Sequence, residues 1–113
     1  MEFKNRDITI VRGDSGSILV GMYNEDDTVV PFVTGDTVYF TVKTDVNTAT
    51  KIFQKTVTTF SGGLATINIL PADTKTTQLG RYVYDVQLSK SATDITTLVK
   101  ESPFIIAGEV TYE

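Results

Sequence analysis

The sequence predicts an all-β protein, and three observations support this class. Its 113 residues include nineteen Thr, thirteen Val and nine Ile, whose branched side chains fit a pleated sheet better than a helix. Leu and Ala, which favour helices, contribute only six and five residues. Several segments alternate apolar and polar residues with the period of two that is typical of strands, and turn residues separate them. The chain should therefore fold as short strands joined by turns.

The first half of the chain contains the clearest alternation. The predicted strands here are residues 8–11, 18–22, 29–33 and 36–43. The first two flank a turn at residues 12–16, and we expect them to pair with each other. The fourth should turn Val38, Phe40 and Val42 inward, because these residues alternate with Thr, Tyr and Lys.

The second half should add four strands and one helical segment. The predicted strands are residues 50–58, 65–69, 81–90 and 95–110. The first has no clear apolar face, which indicates an edge strand or a bulge, and residues 61–63 predict a hairpin turn into the second. Residues 71–79 begin with proline and precede a glycine, as one or two turns of helix do. Ser102 and Pro103 should interrupt the last strand, because proline donates no ladder hydrogen bond.

The composition excludes most familiar catalytic and cofactor chemistry. The chain has no His and no Cys, so it cannot build a Ser-His-Asp triad, a zinc site of the usual ligands or a disulfide. Its acids are scattered over turns and outward strand positions, without the convergence that a glycosidase needs. We therefore expect a protein that is not an enzyme and that uses no cofactor and no metal.

Charge and the amino-terminal residues indicate the partners and the compartment. The net charge of −4 argues against a protein that binds nucleic acid by neutralising phosphates. No apolar run has the length of a membrane span, and residues 1–7 lack the apolar stretch of a signal peptide. We expect one domain over residues 1–113, made in a cytoplasm, with neither a nucleic-acid nor a membrane partner.

The segment around Gly80 and Tyr82 carries the most informative fold motif. Their spacing matches the tyrosine corner of immunoglobulin-type sandwiches, in which a tyrosine hydroxyl hydrogen-bonds to backbone a few residues upstream. Tyr84 stands where antibody domains carry their second cysteine. Two buried tyrosines on an alternating strand would give the same pattern. Together with the strand count, the motif predicts an immunoglobulin-like β-sandwich of seven to eight antiparallel strands, with one short helical turn near residues 71–79.

Two short motifs could bind a ligand. The turn Arg12-Gly13-Asp14 reproduces the tripeptide that integrin ligands display, but these are also ordinary turn residues. The loop Asn24-Glu25-Asp26-Asp27 offers oxygen ligands of the type that Ca²⁺ prefers, but it lacks the spacing and the distal Glu of a calcium loop. A structural turn and a solvated loop are the favoured interpretations.

An outward-facing patch is the candidate interface. In an immunoglobulin-like sandwich the strand at residues 36–43 lies beside the strand at 81–90, which pairs with the last strand. We expect Tyr39, Val83 and Ile105 to form an apolar patch on the exposed face of this sheet and to mark a subunit contact, which could make the protein a homo-oligomer. Scattered exposed apolar residues are also normal on monomers.

The chain also resembles a known group of proteins over nearly its whole length. The segments that carry the resemblance are IVRGDS at 10–15, TGDTVYFTVK at 34–43, LPADT at 70–74, GRYVYDV at 80–86 and FIIAGEV at 104–110. In these segments it is similar to small bacteriophage and prophage proteins related to the amino-terminal domain of upper baseplate proteins. The resemblance implies a virion structural module, made in the bacterial host cytoplasm, that packs against other tail, baseplate or head proteins.

Two other classes of function stay open. An adhesion or carbohydrate-binding module on a virion or a bacterial surface would bind glycans through a saturable site, although the chain has no Trp to hold a sugar. A solitary bacterial immunoglobulin-like domain would remain a monomer, whereas a virion module should self-associate or bind a phage protein.

Overall fold

A computed structural model describes residues 7–45, 47 and 50–108, in which nine strands and one helical turn are found. The elements are β1 (Ile8–Val11), β2 (Gly16–Val20), β3 (Met22–Tyr23), β4 (Val29–Val30), β5 (Thr37–Lys43), β6 (Lys51–Val57), β7 (Ala65–Ile69), α1 (Pro71–Thr74), β8 (Gly80–Ser91) and β9 (Asp94–Ala107). The protein is therefore all-β, as its composition predicts.

The strands form a β-sandwich with sheets of unequal size. The larger sheet has the order β1-β9-β8-β5-β6, the smaller sheet consists of β2 and β7, and β3 pairs with β4 in a short hairpin. The neighbours β5, β8 and β9 correspond to strands C, F and G of an immunoglobulin sandwich, and β2 and β7 correspond to strands B and E. The predicted all-β, sandwich-like class is confirmed, but the strand count of seven to eight and the purely antiparallel pairing are wrong, because the described residues form nine strands and β1 pairs with β9 in parallel.

The core lies between the inner faces of the two sheets. Val38, Phe40 and Val42 of β5 are fully buried, as their alternation predicts, and Ile67 of β7 is also fully buried. The alternation of β7 is confirmed in the same way, because its burial changes at every residue. Period-two burial on both sheets gives the sandwich one continuous apolar interior.

The predicted pairing of the first two strands is wrong. β1 pairs with β9 in parallel, and β2 pairs antiparallel with β7, so the two strands belong to different sheets. The connecting turn is held by partners that lie far along the chain: the Arg12 N–H donates to the Ala107 carbonyl, and the Gly13 N–H donates to Thr74 Oγ1 at 2.9 Å. These bonds hold the turn where the chain crosses from the larger sheet to the smaller one. β1 therefore pairs in parallel with β9 instead of antiparallel with β2.

The unclear pattern of the strand at residues 50–58 has a structural cause. β6 is an edge strand of the larger sheet, and its register with β5 shifts between Val42 and Lys43. Lys55 pairs with Phe40 in this register and forms an ion pair with Asp73 at 2.7 Å. Both predicted explanations, an edge position and a bulge, are confirmed.

The helical segment and the last strand differ in detail from their predictions. The helix covers only Pro71–Thr74, which is the single turn allowed by the pattern. The predicted break of the strand at Ser102 and Pro103 is wrong, because β9 continues through both residues. The register of β9 with β8 nevertheless shifts just before Ser102, between the Tyr84–Ser102 and Val86–Val99 pairs. β1 begins to pair with β9 only at Phe104, one residue after Pro103, so the proline lies where this ladder starts. The predicted end of the strand at 109–110 lies outside the described residues.

A tight turn joins β6 to β7. Ser61 and Leu64 exchange two backbone hydrogen bonds, and Gly62 and Gly63 have φ values of 62° and 77°. These angles match a type I′ turn, which favours glycine at both central positions. The predicted turn is confirmed, although the strands on either side belong to different sheets rather than to one hairpin ladder.

The two turn glycines differ in their surroundings, which gives a testable order of stabilities. A Cβ on Gly63 would lie 2.6 Å from Pro31 Cβ, whereas a Cβ on Gly62 would meet nothing within 4 Å. We expect Gly63→Ala to lower the free energy of unfolding by about 1–2 kcal/mol more than Gly62→Ala does, because both share the positive φ and only the first adds a collision. Urea unfolding of the two variants measures the difference, and equal losses would contradict it.

Candidate functional site

The predicted corner residues lie at the entrance to β8. The Tyr82 hydroxyl donates a hydrogen bond of 2.6 Å to the carbonyl oxygen of Gln78, four residues upstream, as a tyrosine corner does. Tyr84 is buried in the core, where its ring stacks on Phe40 with centroids 5.2 Å apart. Gly80 is the first residue of the strand. The geometry gives these three residues a structural role at the point where the chain enters the larger sheet.

The corner bond can be tested by removing one oxygen atom. Tyr82→Phe should lower the free energy of unfolding by about 1 kcal/mol, because the ring stays in place and the hydrogen bond to Gln78 is lost. Tyr39→Phe is the matched control, since no described residue hydrogen-bonds to the Tyr39 hydroxyl, and it should change stability by less than about 0.5 kcal/mol. Denaturant titrations in which both variants lose the same stability would rule out the bond's contribution.

The candidate interface residues share the outward face of the larger sheet but are not all neighbours. Val83 pairs with Pro103, and Ile105 lies two residues further along β9 on the same face, so Val83 and Ile105 are diagonal neighbours. Tyr39 pairs with Gln87 instead, about 13 Å from Val83 along the strands. The structure thus brings two of the three predicted residues together, and all three are half-buried.

An apolar strip surrounds the first two of these residues. It runs along the outward face where β8, β9 and β1 lie side by side. Its members are half-buried apolar residues on that face: Val11, Val83, Pro103, Ile105 and Ala107. We call this set the apolar strip. No strand or helix of the described chain lies over this face, and the described residues leave the apolar strip partly exposed.

A polar depression separates Tyr39 from the apolar strip. It has a volume of about 240 Å³, and its floor lies where Thr41 of β5 pairs with Asp85 of β8. The Gln54 side-chain amide donates to Thr41 Oγ1 at 2.8 Å and accepts from Lys51 Nζ at 3.2 Å. The wall adds further polar side chains, namely Lys43, Gln87 and Glu101. The depression therefore offers hydrogen-bond donors and acceptors, and its lining includes both basic and acidic side chains.

Asp85 is the half-buried acid of the depression, whereas the other acid, Glu101, is exposed. Among the described residues the Asp85 carboxylate has no hydrogen bond or ion pair. Burial raises the pKa of Asp85 above its ordinary value, which Lys43 opposes and Glu101 reinforces. A half-buried carboxylate with unused acceptor positions is suited to accept hydrogen bonds from a ligand's hydroxyl or amide groups.

The two predicted ligand-binding loops are held by internal hydrogen bonds. The Gly13 N–H bonds to Thr74, so the tripeptide turn is fastened to α1 rather than projecting from the molecule. In the acidic loop, Asp26 accepts from the backbone N–H and the hydroxyl of Thr28, and these bonds hold the pKa of Asp26 below its ordinary value. Asp27 has a φ of 67°, as turn residues can. Both segments thus have a structural explanation as turns.

Sequence reasoning missed the polar depression. Its floor combines Thr41 and Asp85, which lie on strands far apart in the chain. The outward positions of both strands could be read from alternation, but only the register shows which polar residues face each other. This site could have been identified from the sequence only by predicting the register between β5 and β8.

The chain was compared with models of known protein families and with curated proteins, and neither comparison gave a match. Within the described residues, no helix has both the length and the apolar character needed to cross a membrane. The same part of the chain holds no group of three His, Cys, Asp or Glu side chains arranged to hold a metal ion.

Proposed function

We propose that the protein is a non-enzymatic structural protein of a bacteriophage or prophage virion that acts by protein–protein contacts in the tail, baseplate or head. The observation that carries the proposal is the uncovered apolar strip on the larger sheet, next to a polar depression. A surface with an apolar centre and a polar surround is typical of protein interfaces. The all-β, sandwich-like fold is compatible with such a module, and the resemblance to baseplate-related phage proteins over nearly the whole chain supports the proposal.

The contact surface of the proposal is centred on Val83 and Ile105. Both are only half-buried, and both lie on strands whose other faces form the core, so the sheet presents them on a rigid backbone. A rigid, preformed surface loses little conformational entropy when a partner binds. The same surface could contact another virion protein or a second copy of this chain.

Mass spectrometry of purified particles tests the location. In particles from the phage or lysogen that encodes the chain, we expect its peptides to copurify with the other virion proteins through a density gradient. Peptides found only in the cleared lysate would refute a virion role.

A double variant tests the contact surface. Val83→Glu with Ile105→Glu should reduce incorporation into particles at least tenfold, because two charges would be desolvated at the interface. Ile95→Glu is the control, since Ile95 is 57% exposed and pairs with Ser89 at the end of β9 that lies far from the apolar strip. Melting curves establish that the variants fold, and equal incorporation of wild type and double variant would exclude this surface.

The polar depression favours carbohydrate binding as a second candidate function. The Asp85 carboxylate and the Gln54 and Gln87 amides can bond to the hydroxyl groups of a sugar, and Tyr39, which pairs with Gln87, offers a ring nearby. We expect saturable binding on a glycan array to be lost in Asp85→Asn if this function holds. The absence of any saturable glycan signal would remove this candidate and leave the structural proposal standing.

A further inference from the structure

An open slot lies on a different side of the sandwich, between β2 and the larger sheet. Its volume is about 770 Å³. Apolar side chains line it from both sheets: Ile18 and Leu19 from β2, Ile8 from β1, and Leu98 and Val99 from β9. Leu19 is 64% exposed, the largest exposed fraction among the large apolar side chains of the described chain. The slot is therefore an opening next to the core that combines an apolar part with polar and acidic groups.

One wall of the slot is a free strand edge. β2 pairs with β7 on one side, and no strand of the described chain pairs with its other edge. In the immunoglobulin order, strand A lies beside strand B, and here β1 has joined the larger sheet instead. The backbone N–H and C=O groups on this edge of β2 are thus available to another strand.

Nothing in β2 protects this edge against pairing. Its sequence GSILV has no charge and no proline, and its register with β7 has no bulge. Natural sheets usually protect an edge strand with one of these features. β6, one of the two edge strands of the larger sheet, shows the contrast, because it carries Lys51 and Lys55 and is paired across a register shift. The unprotected edge of β2 points to a partner strand.

The charge of the slot indicates the chemistry of that partner. The described residues that line it include three acids, Asp7, Glu25 and Asp27, and no lysine or arginine. A second copy paired through its own β2 would bring the same acids opposite these, and each chain has a net charge of −4. A segment with basic residues is therefore favoured over a second copy.

We propose that an extended segment of a partner protein, with alternating apolar side chains and flanking lysine or arginine residues, adds to β2 as an extra strand and closes the slot. Its backbone would continue the ladder of the smaller sheet over the five residues of β2, a length of about 17 Å. Its apolar side chains would cover Leu19 and Val99, and its basic flanks would meet Asp7 and Asp27. Main-chain bonds supply affinity in this mode, and the side chains supply specificity.

Titration with a model peptide tests the proposal on the full chain. The probe is the capped peptide KVTVTVK, followed by ¹⁵N NMR, and the control peptide EVTVTVE differs only in the charge of its ends. We expect saturable shifts at residues 16–21 with KVTVTVK and at least tenfold weaker binding of EVTVTVE at low salt. Absence of saturable shifts, or shifts confined to the apolar strip, would overturn the proposal.

Two lysine variants locate the binding on the protein. Leu19→Lys should weaken KVTVTVK binding at least tenfold, because it puts a charge on the strand edge, whereas Leu79→Lys makes the same charge change elsewhere and should not weaken it. Both side chains are exposed, so the variants should fold, which circular dichroism checks. Equal weakening by both would show a general charge effect and overturn the assignment to β2.

Hydrogen exchange identifies other occupants of the slot. In dilute protein without peptide, the β2 amides that do not donate to β7 should exchange quickly, and peptide should slow them at least tenfold. Slow exchange in the dilute protein would mean that the chain closes its own slot. Protection that grows with protein concentration would mean that a second copy does so. Either result would overturn the proposal, and neither bears on the apolar strip.

Discussion

Replacing Phe40 with alanine is expected to lower the free energy of unfolding by about 3–5 kcal/mol. The Phe40 ring is fully buried and lies at the centre of an aromatic cluster with Phe53, Tyr84 and Phe104, whose ring centroids are 5.2–6.1 Å away. Alanine would leave a cavity between the two sheets that this cluster cannot fill without moving β5 or β9. Guanidinium unfolding followed by tyrosine fluorescence measures the loss.

Two variants serve as controls for the Phe40 prediction. Phe40→Leu keeps more of the side-chain volume and should lose less stability than the alanine variant. Leu79→Ala removes an exposed side chain and should change stability by no more than about 0.5 kcal/mol. A loss of less than about 1 kcal/mol in Phe40→Ala would show that the aromatic cluster is not the packing centre of the fold.

Removing the Asp36 carboxylate should have the second largest effect. The residue is buried, accepts a bond of 3.0 Å from the Val33 N–H, and receives Lys90 Nζ at 3.1 Å on both oxygens. We expect Asp36→Ala to lose about 2–3 kcal/mol, because hydrogen bonds to a charged group disappear at the start of β5. Lys90→Met should lose less, since the Lys90 side chain is 41% exposed and its charge remains hydrated.

The effect of Asp36 should depend on pH. Burial acts to raise the pKa of Asp36, but the Val33 hydrogen bond and then the bond and charge of Lys90 outweigh it, so the pKa lies below its ordinary value of 3.8. A depressed pKa contributes stability that is fully present above the ordinary value and is lost as the pH falls through the folded-state pKa. Wild type and Asp36→Ala should therefore differ most near pH 7 and converge below pH 3.8. A difference that stayed constant down to pH 2 would contradict this assignment.

Local sequence patterns predicted those parts of the fold that depend on one buried face. Val38 and Val42 alternate with polar residues, and each is fully buried. The corner at Tyr82 was predictable for a related reason, because its bonding partner Gln78 is only four residues away. Alternation does not identify the strand that a given strand pairs with, so the parallel pairing of Ile8 with Phe104 could not be derived from it.

The candidate sites were less predictable because they depend on sheet order and register. Tyr39, Val83 and Ile105 were correctly expected to face outward, but only the register shows that Asp85 and its neighbours lie between Tyr39 and the other two. The slot beside β2 follows from the position of β1 in the other sheet. No pattern within residues 16–20 indicates which side of that strand stays free.

The parallel pairing of β1 with β9 also determines how the protein responds to a pulling force. Tension applied to the chain before Ile8 and after Ala107 acts on these two strands in opposite directions along their length. The four register pairs between Ile8–Val11 and the end of β9 are then loaded in shear, so their hydrogen bonds must break together rather than one after another. The pairing of β1 with β9 therefore resists extension of the chain between these two strands.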